Sequence, residues 1–278
     1  MLPTLKSRMK YLLPPQVWGF LRKTWYRCRW ALFRKRTAVH TYGGKLLKVY
    51  LSDEASVAWY DRDYPPLPEV EFLRRDEFPR GTRIFDIGAH QCVIAMMLAE
   101  AVGHSGSVIA LEPLPHHIKV GLRNVRVNGY RNIKVLHAAC AETSGKIAFT
   151  FGDHIHRGER DSDGKIWVDS YSIDDLTEQF GAPSIVYIDV EGYECRVLKG
   201  AAKTLATNPD CFVEVHVGCG LEAFGDRVDS VLNFFPAERY HLFARSLHEE
   251  RFSPLKFAQG ALADTRTSSR FFLLALHR

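Results

Sequence analysis

Residues 83–112, RIFDIGAHQCVIAMMLAEAVGHSGSVIALE, constrain the fold more than any other stretch of the chain. Ile84, Phe85 and Ile87 form a short apolar, β-favouring run that ends around Asp86 and Gly88. Nine of the ten residues from Val93 to Val102 are apolar and rich in Ala, Met and Leu, which predicts a largely buried helix. Gly103 and Gly106 stop that helix, and Val108 to Leu111 restarts a strand ending on Glu112. Strand, turn, helix and strand in this order make the βαβ crossover of a parallel sheet. Open sheets of this kind bind nucleotide-like ligands in the crevice beyond their carboxyl ends. Two acids, Asp86 and Glu112, end adjacent strands there, where a purely structural crossover needs neither.

The turn discriminates between cofactors. Dinucleotides call for G-x-G-x-x-G under the pyrophosphate, whereas G-A-H-Q-C from Gly88 to Cys92 has a single glycine. S-adenosylmethionine carries no phosphate but has an ammonium and a sulfonium, and Asp86 is placed to meet that cationic end. Glu112 is placed to accept hydrogen bonds from ribose hydroxyls. The residues therefore favour S-adenosylmethionine over NAD.

The chain has 278 residues, 46% of them hydrophobic, enough for one large α/β domain with an appendage. Its net charge of +5 is unevenly spread: residues 1–36 hold ten Lys or Arg and no acid, which leaves 27 basic against 32 acidic residues in the remainder. Tyr11, Trp18, Phe20, Trp25, Tyr26, Trp30 and Phe33 interleave with those cations, so a basic aromatic helix is expected from Gln16. Such a helix suits peripheral contact with an anionic membrane or a place on the domain surface; nucleic acid ranks third because the body is not basic. No apolar run approaches the ~20 residues of a membrane span, and the N-terminal stretch lacks an uninterrupted apolar core and a small-residue cleavage site, so a signal peptide is not expected. The six cysteines form no C-x-x-C pair, so they read as reduced core thiols of a cytoplasmic protein. Three parts are expected: the extension 1–36, a lead-in of a hairpin and a helix over 37–80, and the main domain over 81–278.

Within the lead-in, His40 to Leu51 reads as a hairpin turning at Gly43-Gly44, Trp59 to Pro68 as a linker, and Glu69 to Glu77 as a short helix. After Glu112, Pro113 and Pro115 close the second strand and a helix runs from His116 to Asn128. His116 and His117 are expected to be exposed at its start. Ala138 to Ala141 is a small-residue stretch able to bed an adenine ring, with Ala139 in the cofactor set. Residues 152–165, with His154 and His156, read as a surface loop between two strands.

A second informative stretch runs from Ser170 to Glu194. Ile185 to Ile188 is another buried strand ending on an acid, Asp189, and Glu191 and Glu194 follow within five residues. The next strand, Cys211 to Val217, puts Glu214 and His216 on one face. Asp189, Glu191 and His216 are the candidate proton-handling residues. A divalent cation held by Asp189 and neighbouring acids is an alternative that the residues leave open. A final helix and two strands, Tyr240 to Phe243 and Phe271 to His277, complete the sheet, with a long polar loop between the strands.

D-I-G-A-H-Q, L-E-P-L-P, L-R-N-V-R-V-N, S-I-D-D-L, Y-I-D-V-E-G-Y-E with L-K-G-A, and V-E-V-H, in this order, resemble the FkbM family of S-adenosylmethionine-dependent methyltransferases. The resemblance covers Thr82 to Val217. It implies a doubly wound Rossmann-like α/β sheet, mostly parallel with an antiparallel C-terminal strand. It also implies O-methyl transfer to a hydroxyl of a sugar, glycan, polyketide or similar small molecule. Carried over by position, Asp86, Gly88, Ala89 and His90 form the turn under the methionine part. Glu112, followed by Pro113, holds the ribose, and Asp189 and Glu191 line the reaction edge. The family turn reads D-x-G-A-N-x-G, so His90 stands for Asn and Cys92 for Gly. Cys92 is therefore expected to narrow the cofactor pocket. That departure is also the specific support for the alternative, a catalytically lapsed binding protein docking through its basic extension.

Overall fold

A computed structural model describes residues 17, 32–73, 78–149, 166–258 and 261–278. The predicted N-terminal helix lies almost entirely outside these residues, and the loop of His154 and His156 lies wholly outside them.

The lead-in hairpin is β1 (Arg36–Tyr42) and β2 (Lys45–Leu51), with Tyr42 opposite Lys45 across the Gly43-Gly44 turn. Trp59 and Tyr60, expected in a linker, instead end a helix, α1 (Glu54–Tyr60). A capping box starts it: Asp53 Oδ1 accepts from Ser56 N–H at 2.6 Å, and Ser56 Oγ accepts from Asp53 N–H at 3.1 Å. A second short helix, α2 (Pro68–Leu73), leads towards β3 (Arg83–Ile87).

The core unit follows as read: α3 (Val93–Val102), β4 (Ser107–Glu112), α4 (Pro115–Val127) and β5 (Ile133–His137). Then come β6 (Ala139–Cys140), β7 (Gly145–Phe149) and β8 (Ile166–Tyr171), which make a small sheet of their own in the order β6-β8-β7. The main sheet resumes with α5 (Ile173–Phe180) and β9 (Ile185–Ile188). The helix expected from Tyr193 to Leu205 is split into α6 (Glu194–Lys199) and α7 (Ala202–Leu205). The split falls at Gly200, where a Cβ would lie 2.4 Å from the Ala141 carbonyl oxygen. Next are β10 (Asp210–Val215), α8 (Val228–Leu232) and β11 (Tyr240–Ser246). The polar stretch before the last strand is not an open loop. It carries the two-residue strands β12 (Ser253–Pro254), β13 (Phe257–Ala258) and β14 (Ala261–Leu262), and β15 (Phe271–His277) ends the chain's strands.

The main sheet has eight strands in the order β12-β11-β15-β10-β9-β3-β4-β5. From β10 to β5 the pairing is parallel, and β15 runs antiparallel between β10 and β11. This is the doubly wound Rossmann-like sheet that the motifs predicted. Period-two alternation sorts the side chains onto two cores. Phe85, Ile109, Val186 and Val213 face a core shared with α5, α6 and α8. Ile84, Val108, Tyr187 and Phe212 face the other core, shared with α3. Tyr42, Leu47, Val49, Leu51 and Tyr60 join that second core, so the lead-in packs on the same side as α3. Strand order reverses between β9 and β4 around β3, and the acids meet at that point.

Candidate active site

β3 and β9 run side by side, and the turns that follow them nearly touch. Gly88 has φ +95°, and a Cβ there would lie 1.8 Å from the Asp189 carbonyl oxygen. Only glycine permits this approach. The Gly88 and Ala89 N–H groups donate to the Leu111 carbonyl at 3.0 and 2.9 Å, which ties the turn to β4. Glu112, buried at the end of β4, closes the turn from below: His90 N–H donates to Oε2 at 2.9 Å and Leu114 N–H to Oε1 at 2.8 Å.

His90 and Cys92 both hold left-handed backbone, φ 48° and 59°. Each costs about 1 kcal/mol relative to glycine. Cys92, expected to narrow the cofactor pocket, is fully buried with its thiol against α4. There Gly121 makes room, since a Cβ at that position would lie 2.6 Å from Cys92 Sγ. The bulk that replaces glycine is thus absorbed between two helices. Asn124, on the same helix, donates from Nδ2 to the Gln91 carbonyl at 3.0 Å and accepts from Tyr50 N–H at 2.8 Å, binding α4, the turn and the hairpin together.

Asp86 is buried beside this turn, and its Oδ2 has no hydrogen-bond partner. Burial, reinforced by the charge of Glu112, pushes its carboxyl up to about 7. Above the turn sits a set of side chains from the lead-in and α4. Tyr60 Oη and His90 Nδ1 are 2.7 Å apart. Burial, followed by the neighbouring imidazole of His117, pushes His90 down to about 3, so its ring is neutral, and burial holds the Tyr60 phenol well above its ordinary value. Tyr60 therefore donates and His90 Nδ1 accepts. His116 and His117 are not exposed, as the sequence suggested, but half-buried and engaged. His116 Nε2 pairs with Asp53 Oδ2 at 2.8 Å, and His117 packs its ring 4.0 Å from that of His90 with Nδ1 3.3 Å from Glu112 Oε1. Asp53 also accepts from Gln91 Nε2 at 3.1 Å. Asp53 and Tyr60 escaped the sequence reading; the D-x-x-S cap at Asp53 was the available signal. Pro113 follows Glu112 and lends its carbonyl to His137 Nε2 at 3.1 Å. Ala139 lies in the small sheet, packed with Val168 against Ile147.

The second acid group surrounds His216, which is fully buried just past β10. Its Nδ1 lies 2.6 Å from Glu194 Oε1, which also accepts from Gly192 N–H at 2.9 Å. Its Nε2 lies 3.4 Å from Glu191 Oε2, 3.7 Å from Asp189 Oδ1 and 3.8 Å from Glu214 Oε1, yet has no hydrogen-bond partner. Burial opposes a charge on the imidazole, but the hydrogen bond and charge of Glu194, with the charges of Glu191 and Asp189, outweigh it and raise its pKa. Asp189 is pushed well above the carboxylate range, first by burial and then by Glu214. Glu214 is raised chiefly by burial, against the pull of His216 and Arg270. Asp189, Glu191 and His216 are thus brought together, and Asp86 and Glu112 stand on the two strands beyond β9. Cys219 Sγ is exposed and no part of this group, a departure from the expectation of core thiols.

The model of the methyltransferase FkbM domain matches residues 86–242, more than half of the chain. The chain belongs to the FkbM methyltransferase family. Among relatives, the FkbM member described here is 26% identical over 169 residues to the hexuronic acid methyltransferase AglP of Haloferax volcanii, covering 58% of this chain and 66% of that one. It is 34% identical over 67 residues to the demethylmenaquinone methyltransferase of Geobacillus kaustophilus, covering 24% of this chain and 29% of the relative. The structure of an FkbM methyltransferase from Methylobacillus flagellatus KT is similar with a TM-score of 0.48 at 18% identity, over 72% of this chain and 45% of the other. This FkbM member thus spans only part of each of these proteins.

Proposed function

We propose that this protein transfers a methyl group from S-adenosylmethionine to a hydroxyl oxygen of a sugar or glycan-like acceptor. The observation that carries the reading is Asp86, a buried carboxylate with an unpartnered oxygen at the switch point of the sheet. A lone buried carboxylate is costly unless a cation meets it. S-adenosylmethionine brings two positive charges and no phosphate, which fits Asp86, Glu112 and Asp189 and suits the single-glycine turn. Glu112 accepts a backbone N–H on each oxygen and Oε1 also meets His117 Nδ1, which leaves Oε2 with a lone pair for a ribose hydroxyl. Cys92 does not oppose the fit, because its thiol lies against Gly121. With that, the specific support for a catalytically lapsed protein falls away.

Bound there, S-adenosylmethionine supplies an electrophilic methyl on sulfur and leaves as the uncharged thioether once the acceptor oxygen has taken the methyl. The acceptor hydroxyl must lose one proton, and the acids around His216 are the groups able to take it. Asp189 and Glu191 reach solvent, with side chains 39% and 74% exposed, whereas His216 is buried and positioned by Glu194. The hexuronic acid relative supports a sugar acceptor.

Calorimetric titration with S-adenosylhomocysteine, with NAD as control, tests the reading. Micromolar binding of the first and none of the second is expected. No binding of S-adenosylhomocysteine overturns it.

A further inference from the structure

We propose that Asp189, Glu214 and His216 hold a divalent cation of the Mn2+ type at the carboxyl edge of β9 and β10. Each offers one ligand atom, and the three atoms lie within 4.8 Å of one another. Ligands at ~2.1 Å from one cation stand ~3 Å apart when adjacent and ~4 Å apart when opposite, so separations of 3.7 and 3.8 Å from His216 Nε2 need little adjustment.

Acidic clusters are common without a cation, and His216 sets this one apart. Its Nε2 is fully buried, aimed at the carboxylates and without a hydrogen-bond partner. Glu194, itself fully buried, accepts from Nδ1 at 2.6 Å. That bond fixes the ring so that Nε2 faces Asp189 and Glu214, and a cation bound there would take the place of the Nε2 proton. A carboxylate behind the far nitrogen of a histidine is the usual support of a metal-bound imidazole.

The local sequence explains the placement. Asp189 directly follows β9, and Glu214-x-His216 projects two side chains from one face at the end of the neighbouring strand. Glu214 Oε1 also lies 3.2 Å from Arg270 Nε, which offsets part of the negative charge and makes Glu214 the ligand with a competing partner. Two carboxylates and one imidazole suit Mn2+ better than softer ions that seek thiolates. The exposed edge of Asp189 leaves coordination positions open to a ligand from solvent.

This inference deepens the methyl-transfer reading and rests on it for the role of the ion. Held there, the cation would polarise the acceptor hydroxyl; the hydroxyl proton passes to the exposed Glu191 carboxylate, the O–H electron pair forms the bond to the methyl carbon, and the pair of the broken S–CH3 bond stays on sulfur, which leaves as the thioether. His216 Nε2 then serves as a ligand and takes no proton.

The test is titration of the full chain with Mn2+ in the absence of cofactor, followed by loss of the free Mn2+ resonance signal. Co2+ absorption in parallel reports imidazole ligation. One Mn2+ per chain is expected, weakened at least tenfold by Asp189→Asn, Glu214→Gln and His216→Gln and unchanged by Cys219→Ser. Should His216→Gln misfold by circular dichroism, the half-exposed Asp189 carries the test alone. Absence of Mn2+ binding, or binding indifferent to Asp189→Asn and Glu214→Gln, overturns the inference. S-adenosylhomocysteine titrated in the presence of EDTA separates the two readings. Its binding without any Mn2+ site removes only the cation, whereas its failure to bind removes the methyl-transfer reading.

Discussion

Asp86→Asn is expected to make the ligand-free protein more stable at pH 8 while weakening its cofactor site. The free carboxyl ionises at 3.8, whereas burial pushes Asp86 in the fold up to about 7. Between those values the folded chain holds a proton that the unfolded chain has released, so stability falls as pH rises through this window. Each pH unit is worth about 1.4 kcal/mol, so ionised Asp86 costs the fold up to about 4 kcal/mol above pH 7. Below pH 4 the carboxyl is neutral in both states and costs nothing. Asparagine keeps the shape and removes the charge, so the gain should be largest at pH 8 and small at pH 4. Urea denaturation of both proteins at pH 4, 6 and 8, without ligand, measures the difference. In the same variant, affinity for S-adenosylhomocysteine should fall by about 30-fold or more, because a buried charged partner is lost. Equal gains at pH 4 and pH 8, or unchanged ligand affinity, would refute the reasoning that Asp86 is an unpaired acid awaiting a cation.

Three further outcomes are expected. Gly121→Ala should cost about 1–3 kcal/mol by driving a methyl into Cys92 Sγ, and Cys92→Gly in the same chain should restore most of it; a double-mutant cycle in urea with no coupling would contradict the packing. Tyr60→Phe should cost about 1 kcal/mol through its hydrogen bond to His90 and lower S-adenosylhomocysteine affinity severalfold, measured by urea midpoint and calorimetry. Asp53 is held below the usual carboxylate range: burial raises it, but the His116, Ser56 and Ser52 hydrogen bonds outweigh that. Its contribution is present above pH 4 and lost as pH falls below that, so Asp53→Asn should flatten the acid limb of urea midpoints between pH 2 and 5.

Much of the frame was legible in residue order alone. The runs at 84–87, 108–111, 185–188 and 211–215 are β-favouring and apolar enough to be central strands, and each of the first three carries an acid near its carboxyl end. Parallel pairing puts those ends on one edge, so Asp86, Glu112 and Asp189 could be grouped without coordinates. The antiparallel last strand came from the family motifs. α1 was missed because seven residues with Trp and Tyr at their end hold too little periodicity, and the Asp53–Ser56 cap was the sole local cue. The fate of Cys92 and the surroundings of His216 belonged to tertiary structure. Periodicity tells which side of its own element a residue faces, not what stands opposite. Cys92 meets Gly121 on the next helix, His116 meets Asp53 from 63 residues upstream, and His216 meets Glu194 from 22 residues upstream. The types of the chemical groups were written locally; their partners, and hence their charge states, were decided by which helix lies over which strand.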